Sequence, residues 1–136
     1  MVDAPEGTPV TKRILLVEDH PATVEVMVLE LEYLGYEALT AKTGEEGIQE
    51  ALAQLPDMII LDIAMPQMDG YATARKLKGD SRTQHIPILA ATAKAMPGDR
   101  EKCLESGCDE YIAKPFTPQE LGKKIKEMLG SDPPLQ

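Results

Sequence analysis

Two kinds of apolar pattern alternate along the chain. The runs 14–17 and 58–61 contain no polar residue, which is typical of strands buried on both faces of a parallel sheet. Three further short apolar runs alternate with helical segments in the same way. The pattern therefore predicts five strands: Arg13–Val17, Tyr36–Thr40, Met58–Leu61, Ile86–Ala91 and Tyr111–Ala113.

The segments between these runs carry apolar residues at the helical spacing i, i+3, i+4, i+7. The first stripe comprises Val24, Met27, Val28 and Leu31, and the second comprises Ile48, Ala51, Leu52 and Leu55. Gly35 stands where a glycine ends the first helix, and Thr43 with Glu46 forms a capping box for the second. These signals predict two amphipathic helices.

Three more helices are expected further along. The third spans roughly Met68–Lys78, and the fourth spans roughly Pro97–Ser106 and ends at Gly107. The last begins with Thr117 as its cap and Pro118 at its first position. Regular strand–helix alternation predicts an α/β fold with a doubly wound parallel sheet and right-handed crossovers. The Pro- and Gly-containing ends, 1–11 and 130–136, are expected to be flexible tails around one domain, 12–129.

Composition narrows the class of protein. The 136 residues suit one domain, and 14 basic against 23 acidic residues give a formal charge of −9, which disfavours binding to nucleic acid. The two cysteines, Cys103 and Cys108, form no disulfide framework. Neither a signal peptide nor a membrane-length apolar run is apparent, so the protein is expected to be cytoplasmic and to insert into no membrane.

Charged and hydroxyl side chains follow the predicted strands directly. Glu18 and Asp19 follow the first strand, Asp62 the third, Thr92 closes the fourth, and Lys114 follows the fifth. The carboxyl ends of such strands form the functional crevice of doubly wound sheets. Clustered carboxylates repel one another unless a cation is present, and all-oxygen ligands suit Mg²⁺. The pattern indicates a Mg²⁺ site at which a carboxylate attacks an anionic phosphoryl group.

Four segments carry a family resemblance. LLVEDH, ILDIAMPQMDG, ILAATA and YIAKPF resemble the signature blocks of response regulator receiver domains, in the right order over about 12–129. The resemblance implies a flavodoxin-like fold of five strands in the order 2-1-3-4-5 with five helices. The long stretch ending in YIAKPF is most similar to single-domain cell-division regulators and to receivers of hybrid histidine kinases.

The resemblance also implies roles for individual residues. Asp62 would be the phosphoacceptor, and Lys114 and Thr92 would hold the phosphoryl oxygens. The metal ligands would be Asp19 and Asp62, Glu18 through a bound water, and the backbone carbonyl of Ala64. Thr92 and Tyr111 would form a switch pair, and Pro115 would follow a cis peptide bond. Gly70 would suit a tight turn entering the third helix.

The implied function is that of a signalling switch. Its donor would be a histidine kinase or a histidine phosphotransfer protein, and a downstream protein would read the face formed by the fourth helix, fifth strand and fifth helix. Such a domain assists its own phosphorylation and dephosphorylation and is not classed as an enzyme. Ala64 and Lys94 occupy variable positions at which they disfavour assisted hydrolysis, so a slowly decaying phosphoprotein is expected.

Alternatives remain open at this point. A receiver module taken from a hybrid histidine kinase would have the same sequence features as a single-domain regulator. A phosphatase that forms an aspartyl phosphate is a different class, but such enzymes of the haloacid dehalogenase type place an acid two residues after the nucleophile, where this chain has Ala64. A flavodoxin-type cofactor site would need a phosphate-binding loop where Glu18 and Asp19 stand.

Overall fold

A computed structural model describes residues 11–63, 69–92 and 98–129. Five strands and five helices alternate along this part of the chain. The elements are β1 (Arg13–Val17), α1 (Pro21–Tyr33), β2 (Glu37–Ala41), α2 (Gly44–Gln54), β3 (Met58–Asp62), α3 (Gly70–Lys78), β4 (Ile88–Thr92), α4 (Asp99–Glu105), β5 (Glu110–Ala113) and α5 (Pro118–Leu129).

The strands form one parallel sheet in the order β2-β1-β3-β4-β5, so the predicted α/β architecture and strand order are confirmed. The strand bounds agree with the predictions to within two residues. The largest difference is at β4, which begins at Ile88 rather than Ile86, because Pro87 has no N–H to donate to a neighbouring strand.

Two apolar layers cover the sheet. Along β1, Ile14 and Leu16 face the layer that contains Met27 and Leu31 of α1 and Leu121 and Ile125 of α5. Leu15 and Val17 face the opposite layer, which contains Ala51 of α2, Ala74 and Leu77 of α3 and Cys103 of α4. Helices on both faces explain why the central strands are continuously apolar.

Most helix ends follow the predicted chemistry. Gly35 has φ +98° after α1, a backbone conformation that suits glycine at the end of a helix. The Thr43 hydroxyl accepts the Glu46 N–H at 3.0 Å, while the Glu46 carboxylate accepts from Lys42 N–H at 2.7 Å. At α5, Thr117 and Glu120 cap each other reciprocally, at 3.0 and 2.8 Å.

The prediction for Leu55 was wrong. It was placed on the apolar stripe of the second helix, but it lies just beyond α2 with φ 47° and is 51% exposed. The helix ends before the stripe does, since the chain must turn sharply to enter β3.

Some predicted features lie outside the described residues. These are Met68 and Pro97, expected to begin the third and fourth helices, and both tails apart from Thr11. Among the described helices, none has the length and apolar character needed to cross a membrane.

Candidate functional site

The carboxyl ends of four neighbouring strands meet at one edge of the sheet. Glu18 follows β1, and its N–H donates to the carbonyl of Ala41 at 3.0 Å. Asp62 is the last residue of β3 and is paired in register with Ala91 of β4. Because β3 lies between β1 and β4, Asp62 lies at the centre of this edge.

Three carboxylates converge there. Oxygen atoms of Glu18, Asp19 and Asp62 lie within 4.8 Å of one another. Glu18 and Asp62 are buried, at 3% and 8% exposure, whereas Asp19 is exposed. The cluster therefore has two acids anchored in the protein and one facing solvent, which gives a cation a route of entry.

Glu18 experiences opposing electrostatic influences. Burial raises its pKa, the hydrogen bond from Lys114 lowers it, and the neighbouring Asp62 charge raises it again. The net direction is upward. A buried acid beside a second acid is destabilised as an anion, and a divalent cation would relieve that destabilisation.

Lys114, which follows β5, also reaches the acidic cluster. Its Nζ lies 3.1 Å from Glu18 Oε1, and its backbone N–H donates to the Thr92 carbonyl at 2.8 Å. The peptide bond between Lys114 and Pro115 is cis, as the resemblance implied. The lysine is thus brought to the acidic cluster, and in this structure its ammonium contacts Glu18.

The two residues expected to form a switch pair lie on adjacent strands. Thr92 is buried at the end of β4, and its register partner on β5 is Ala113. Tyr111 is half-buried and packs against the core layer on the α2–α3–α4 side of the sheet. Burial raises the pKa of Tyr111, and the nearby Asp99 and Cys103 add to the effect.

Gly70 lies very close to the backbone at the end of β3. A Cβ at this position would stand 2.6 Å from Ile63 Cα and 3.0 Å from the Asp62 carbonyl oxygen. Gly70 is the first residue of α3, with its N–H donating to the Ile63 carbonyl at 3.3 Å. Glycine is needed here for close approach of two backbones, not for an unusual turn conformation.

The donor set fits Mg²⁺. All three side-chain donors are carboxylate oxygens, the hard ligands that this ion prefers, and three of them leave coordination positions for water or phosphate. The carbonyl of Ala64, expected as a further ligand, lies outside the described residues, as does Lys94.

One structural role near the site escaped the sequence interpretation. The His20 ring caps α1 by accepting from Thr23 N–H at 3.4 Å. Its own backbone N–H donates to Glu18 Oε2 at 3.2 Å. Pro21 was the available signal, since proline at the first helical position marks the preceding residue as the cap.

Comparisons with known proteins agree with this geometry. The response regulator receiver domain family matches residues 14–126. The polar-differentiation response regulator DivK of Brucella ovis is 36% identical over 120 residues, covering 88% of this chain and 98% of the relative.

Solved structures show the same similarity. The receiver domain of a sensor histidine kinase from Pseudomonas aeruginosa PAO1, which has magnesium coordinated in its active site cleft, superposes with a TM-score of 0.83 at 37% identity. The match covers 90% of this chain and 100% of that one. The chemotaxis protein CheY4 of Vibrio cholerae gives a TM-score of 0.83 at 28% identity, covering 88% and 99% of the two chains.

Proposed function

The chain belongs to the response regulator receiver domain family, and from that premise we propose that it accepts a phosphoryl group on Asp62 in a Mg²⁺-dependent reaction. The donor is the phosphohistidine of a histidine kinase or of a phosphotransfer protein. The observation that carries the proposal is the cluster of Glu18, Asp19 and Asp62 within 4.8 Å, with the Lys114 ammonium beside it.

The transfer itself is a nucleophilic displacement at phosphorus. A carboxylate oxygen of Asp62 attacks the phosphorus atom, and the bond from phosphorus to the donor's imidazole nitrogen breaks, with its electron pair remaining on that nitrogen. An acyl phosphate forms on Asp62. Asp62 is the last residue of β3, at the centre of the sheet edge. This rigid support favours a productive orientation of its carboxylate toward the donor.

Mg²⁺ would be held by Asp19, Asp62 and Glu18, the last through water, with the Ala64 carbonyl as a further ligand. When bound, it would neutralise the carboxylates and the incoming phosphoryl oxygens. Burial raises the pKa of Glu18 and the nearby Asp62 charge adds to the effect, so a cation bound beside these carboxylates would favour their ionised forms.

Lys114 would change its partner when Asp62 is phosphorylated. Its ammonium is paired with Glu18 at 3.1 Å, so it is already close to the acids that surround the phosphoacceptor. We propose that it exchanges Glu18 for a phosphoryl oxygen when the acyl phosphate forms. A lysine suits this exchange because its flexible stem carries a compact charge that can move between partners.

Thr92 and Tyr111 would transmit the change at the phosphorylated site to the surface of the domain. The Thr92 hydroxyl would donate to a phosphoryl oxygen, and the Tyr111 ring would turn inward into the space that Thr92 vacates. Tyr111 lines a groove of about 390 Å³, to which Phe116 of the connection between β5 and α5 and Glu120 and Lys124 of α5 also contribute. A downstream protein would read this face together with α4.

Two narrower questions stay at the level of prediction. The chain is similar both to the response regulator DivK and to the receiver domain of a sensor histidine kinase, so a stand-alone regulator and a hybrid-kinase receiver both suit the proposal. The slow hydrolysis expected from Ala64 and Lys94 also stays a prediction. Repeated turnover of an external phosphate ester would instead support the phosphatase alternative.

The test is modification by acetyl phosphate with and without Mg²⁺, followed by intact-protein mass spectrometry. We expect one phosphoryl mass on the native chain, only with Mg²⁺, and none on Asp62→Asn. The matched control is Asp80→Asn, which removes a carboxylate in the connection between α3 and β4, on the opposite edge of the sheet. Metal-independent labelling, or labelling of Asp62→Asn, would contradict the proposal.

A further inference from the structure

Two of the three carboxylates at the site are consecutive residues in the short connection between β1 and α1. Glu18 and Asp19 both contribute to the acidic cluster, and they lie between the end of β1 at Val17 and the start of α1 at Pro21. Glu18 is buried, whereas Asp19 is exposed. The positions of both acids therefore depend on how the two ends of this connection are held.

The sheet holds the first end of the connection. The Glu18 N–H donates to the carbonyl of Ala41 in β2 at 3.0 Å. The Glu18 carboxylate has two protein donors, since its Oε1 accepts from the Lys114 ammonium at 3.1 Å and its Oε2 accepts from the His20 N–H at 3.2 Å. The backbone of His20 thus helps to orient the buried acid.

His20 holds the second end of the connection. Its ring nitrogen Nδ1 accepts from the Thr23 N–H at 3.4 Å and lies 3.1 Å from the Thr23 hydroxyl oxygen. Its carbonyl accepts the Val24 N–H at 3.0 Å, as the carbonyl of a helix-capping residue does. His20 is consequently attached to the first turn of α1 by its side chain and its carbonyl, while its N–H contacts Glu18.

The side-chain contact is the one that depends on the identity of residue 20. Any residue except proline supplies the backbone N–H and carbonyl, but a cap also needs a side-chain acceptor for a helical N–H. Without that acceptor, the backbone at position 20 gains conformational freedom, and so do the two acids that precede it. A cation that binds those acids would then have to order the connection, which lowers its affinity.

We propose that His20 is a positioning residue for the cation site, because its cap on α1 holds Glu18 and Asp19 in the arrangement that binds Mg²⁺. The inference rests on the proposed function. It assigns His20 no contact with the ion, and it makes α1, in addition to the sheet, a support of the acidic cluster.

The test is a Mg²⁺ titration at pH 7.5, at which a free imidazole is mostly neutral, followed by the NMR chemical shifts of backbone amides. We expect His20→Ala to bind Mg²⁺ about two- to fivefold more weakly than the native chain, a range that corresponds to the loss of a helix cap. His20→Asn places another side-chain acceptor at the cap and should bind like the native chain.

Two further variants separate positioning from general stability. His20→Gly lacks the side-chain acceptor, but glycine is well tolerated as a helix cap, so this variant should remain folded and still bind Mg²⁺ more weakly than the native chain. Thr117→Ala removes the corresponding cap of α5, where the Thr117 hydroxyl accepts the Glu120 N–H at 3.0 Å. Its Mg²⁺ affinity should equal that of the native chain.

Hydrogen exchange without Mg²⁺ tests the cap itself. We expect the Thr23 amide to exchange faster in His20→Ala and His20→Gly than in the native chain, and at the native rate in His20→Asn. Unchanged exchange in His20→Ala, or native Mg²⁺ affinity in both His20→Ala and His20→Gly, would overturn the inference. So would weak binding by His20→Asn, since that result would indicate that the imidazole itself contacts the ion.

The inference and the proposed function fail in different ways. Equal Mg²⁺ affinities of the native chain and Asp62→Asn would refute the proposed Mg²⁺ site. Weaker binding by Asp62→Asn, combined with native affinity in every His20 variant, would refute only the role of His20.

Discussion

Leu55 has a left-handed backbone conformation that is unfavourable for a residue with a side chain. It is the only non-glycine residue with positive φ in the described part of the chain. It also leaves half its side chain in solvent. The Arg13 guanidinium donates to the carbonyls of Gln54 and Leu55, at 2.5 and 3.1 Å, so contacts from β1 stabilise this turn despite its unfavourable backbone.

This predicts an unusual stability order among substitutions at Leu55. Leu55→Gly should be more stable than Leu55→Ala by about 1 kcal/mol, because only the alanine retains a Cβ in the left-handed region. Both variants lose the same exposed isobutyl group, so urea denaturation of the pair isolates the backbone effect. An alanine variant as stable as the glycine variant would argue against backbone strain.

Cys108 illustrates how burial controls a single titration. Burial raises the pKa of its thiol to about 12, and Cys103 and Asp109 contribute in the same direction. In the unfolded chain the thiol ionises near its ordinary value, about 8.5. Between those limits the folded state holds a proton that the unfolded state has released, so its contribution to stability is complete at neutral pH and is lost as the pH rises.

The free energy of unfolding should accordingly fall more steeply in the native chain than in Cys108→Ala between about pH 8 and about pH 10.5. Urea denaturation at several pH values measures the difference. The other titrating groups are shared by the two proteins and cancel in the comparison. Parallel pH profiles would show that the thiol is not protected by folding.

At the scale of elements, Lys78 secures the amino-terminal edge of the sheet. Its ammonium donates to the carbonyls of Gln84 and Ile86, at 3.1 and 2.9 Å, and pairs with Asp109. Asp109 also accepts the Ile88 N–H at 2.8 Å. One side chain thus joins the end of α3, the start of β4 and the connection into β5.

Lys78→Met should lower the free energy of unfolding by about 1–2 kcal/mol, because partly buried carbonyls lose their donor and Asp109 loses its cation. Lys76→Met is the matched control on the same helix, since the Lys76 side chain is exposed. Chemical denaturation compares the two. A control variant destabilised as much as Lys78→Met would assign the effect to helix propensity instead.

For the whole molecule, a metal ion bound by the acidic cluster would link binding to folding. Oxygens from the loop after β1 and the end of β3 come within 4.8 Å only in the folded chain. A ligand that binds the folded state alone stabilises it by about 2.7 kcal/mol at a hundredfold excess over its dissociation constant.

Mg²⁺ should therefore raise the thermal midpoint of the native chain and have a much smaller effect on Asp62→Asn. Glu45→Gln, which removes an exposed carboxylate on α2, should retain the full response. Differential scanning calorimetry over a Mg²⁺ series gives the comparison. An equal gain in the native chain and Asp62→Asn would place the ion elsewhere.

The sequence by itself determined the order of elements, the parallel sheet and the residues at its carboxyl edge. Apolar runs and capping residues such as Thr117 act over a few positions, so their consequences can be read locally. Glu18, Asp62 and Lys114 could be placed on one edge because parallel strands all end there.

The tertiary structure decided what no local pattern encodes. The Lys114–Glu18 pair, the close approach of Gly70 to the Asp62 backbone and the contact of Lys102 with the Tyr71 ring each join residues from different elements. The left-handed conformation of Leu55 follows from the path of the chain between α2 and β3. Side-chain distances across elements follow from packing angle and loop path. Those are properties of the whole fold and not of any single segment.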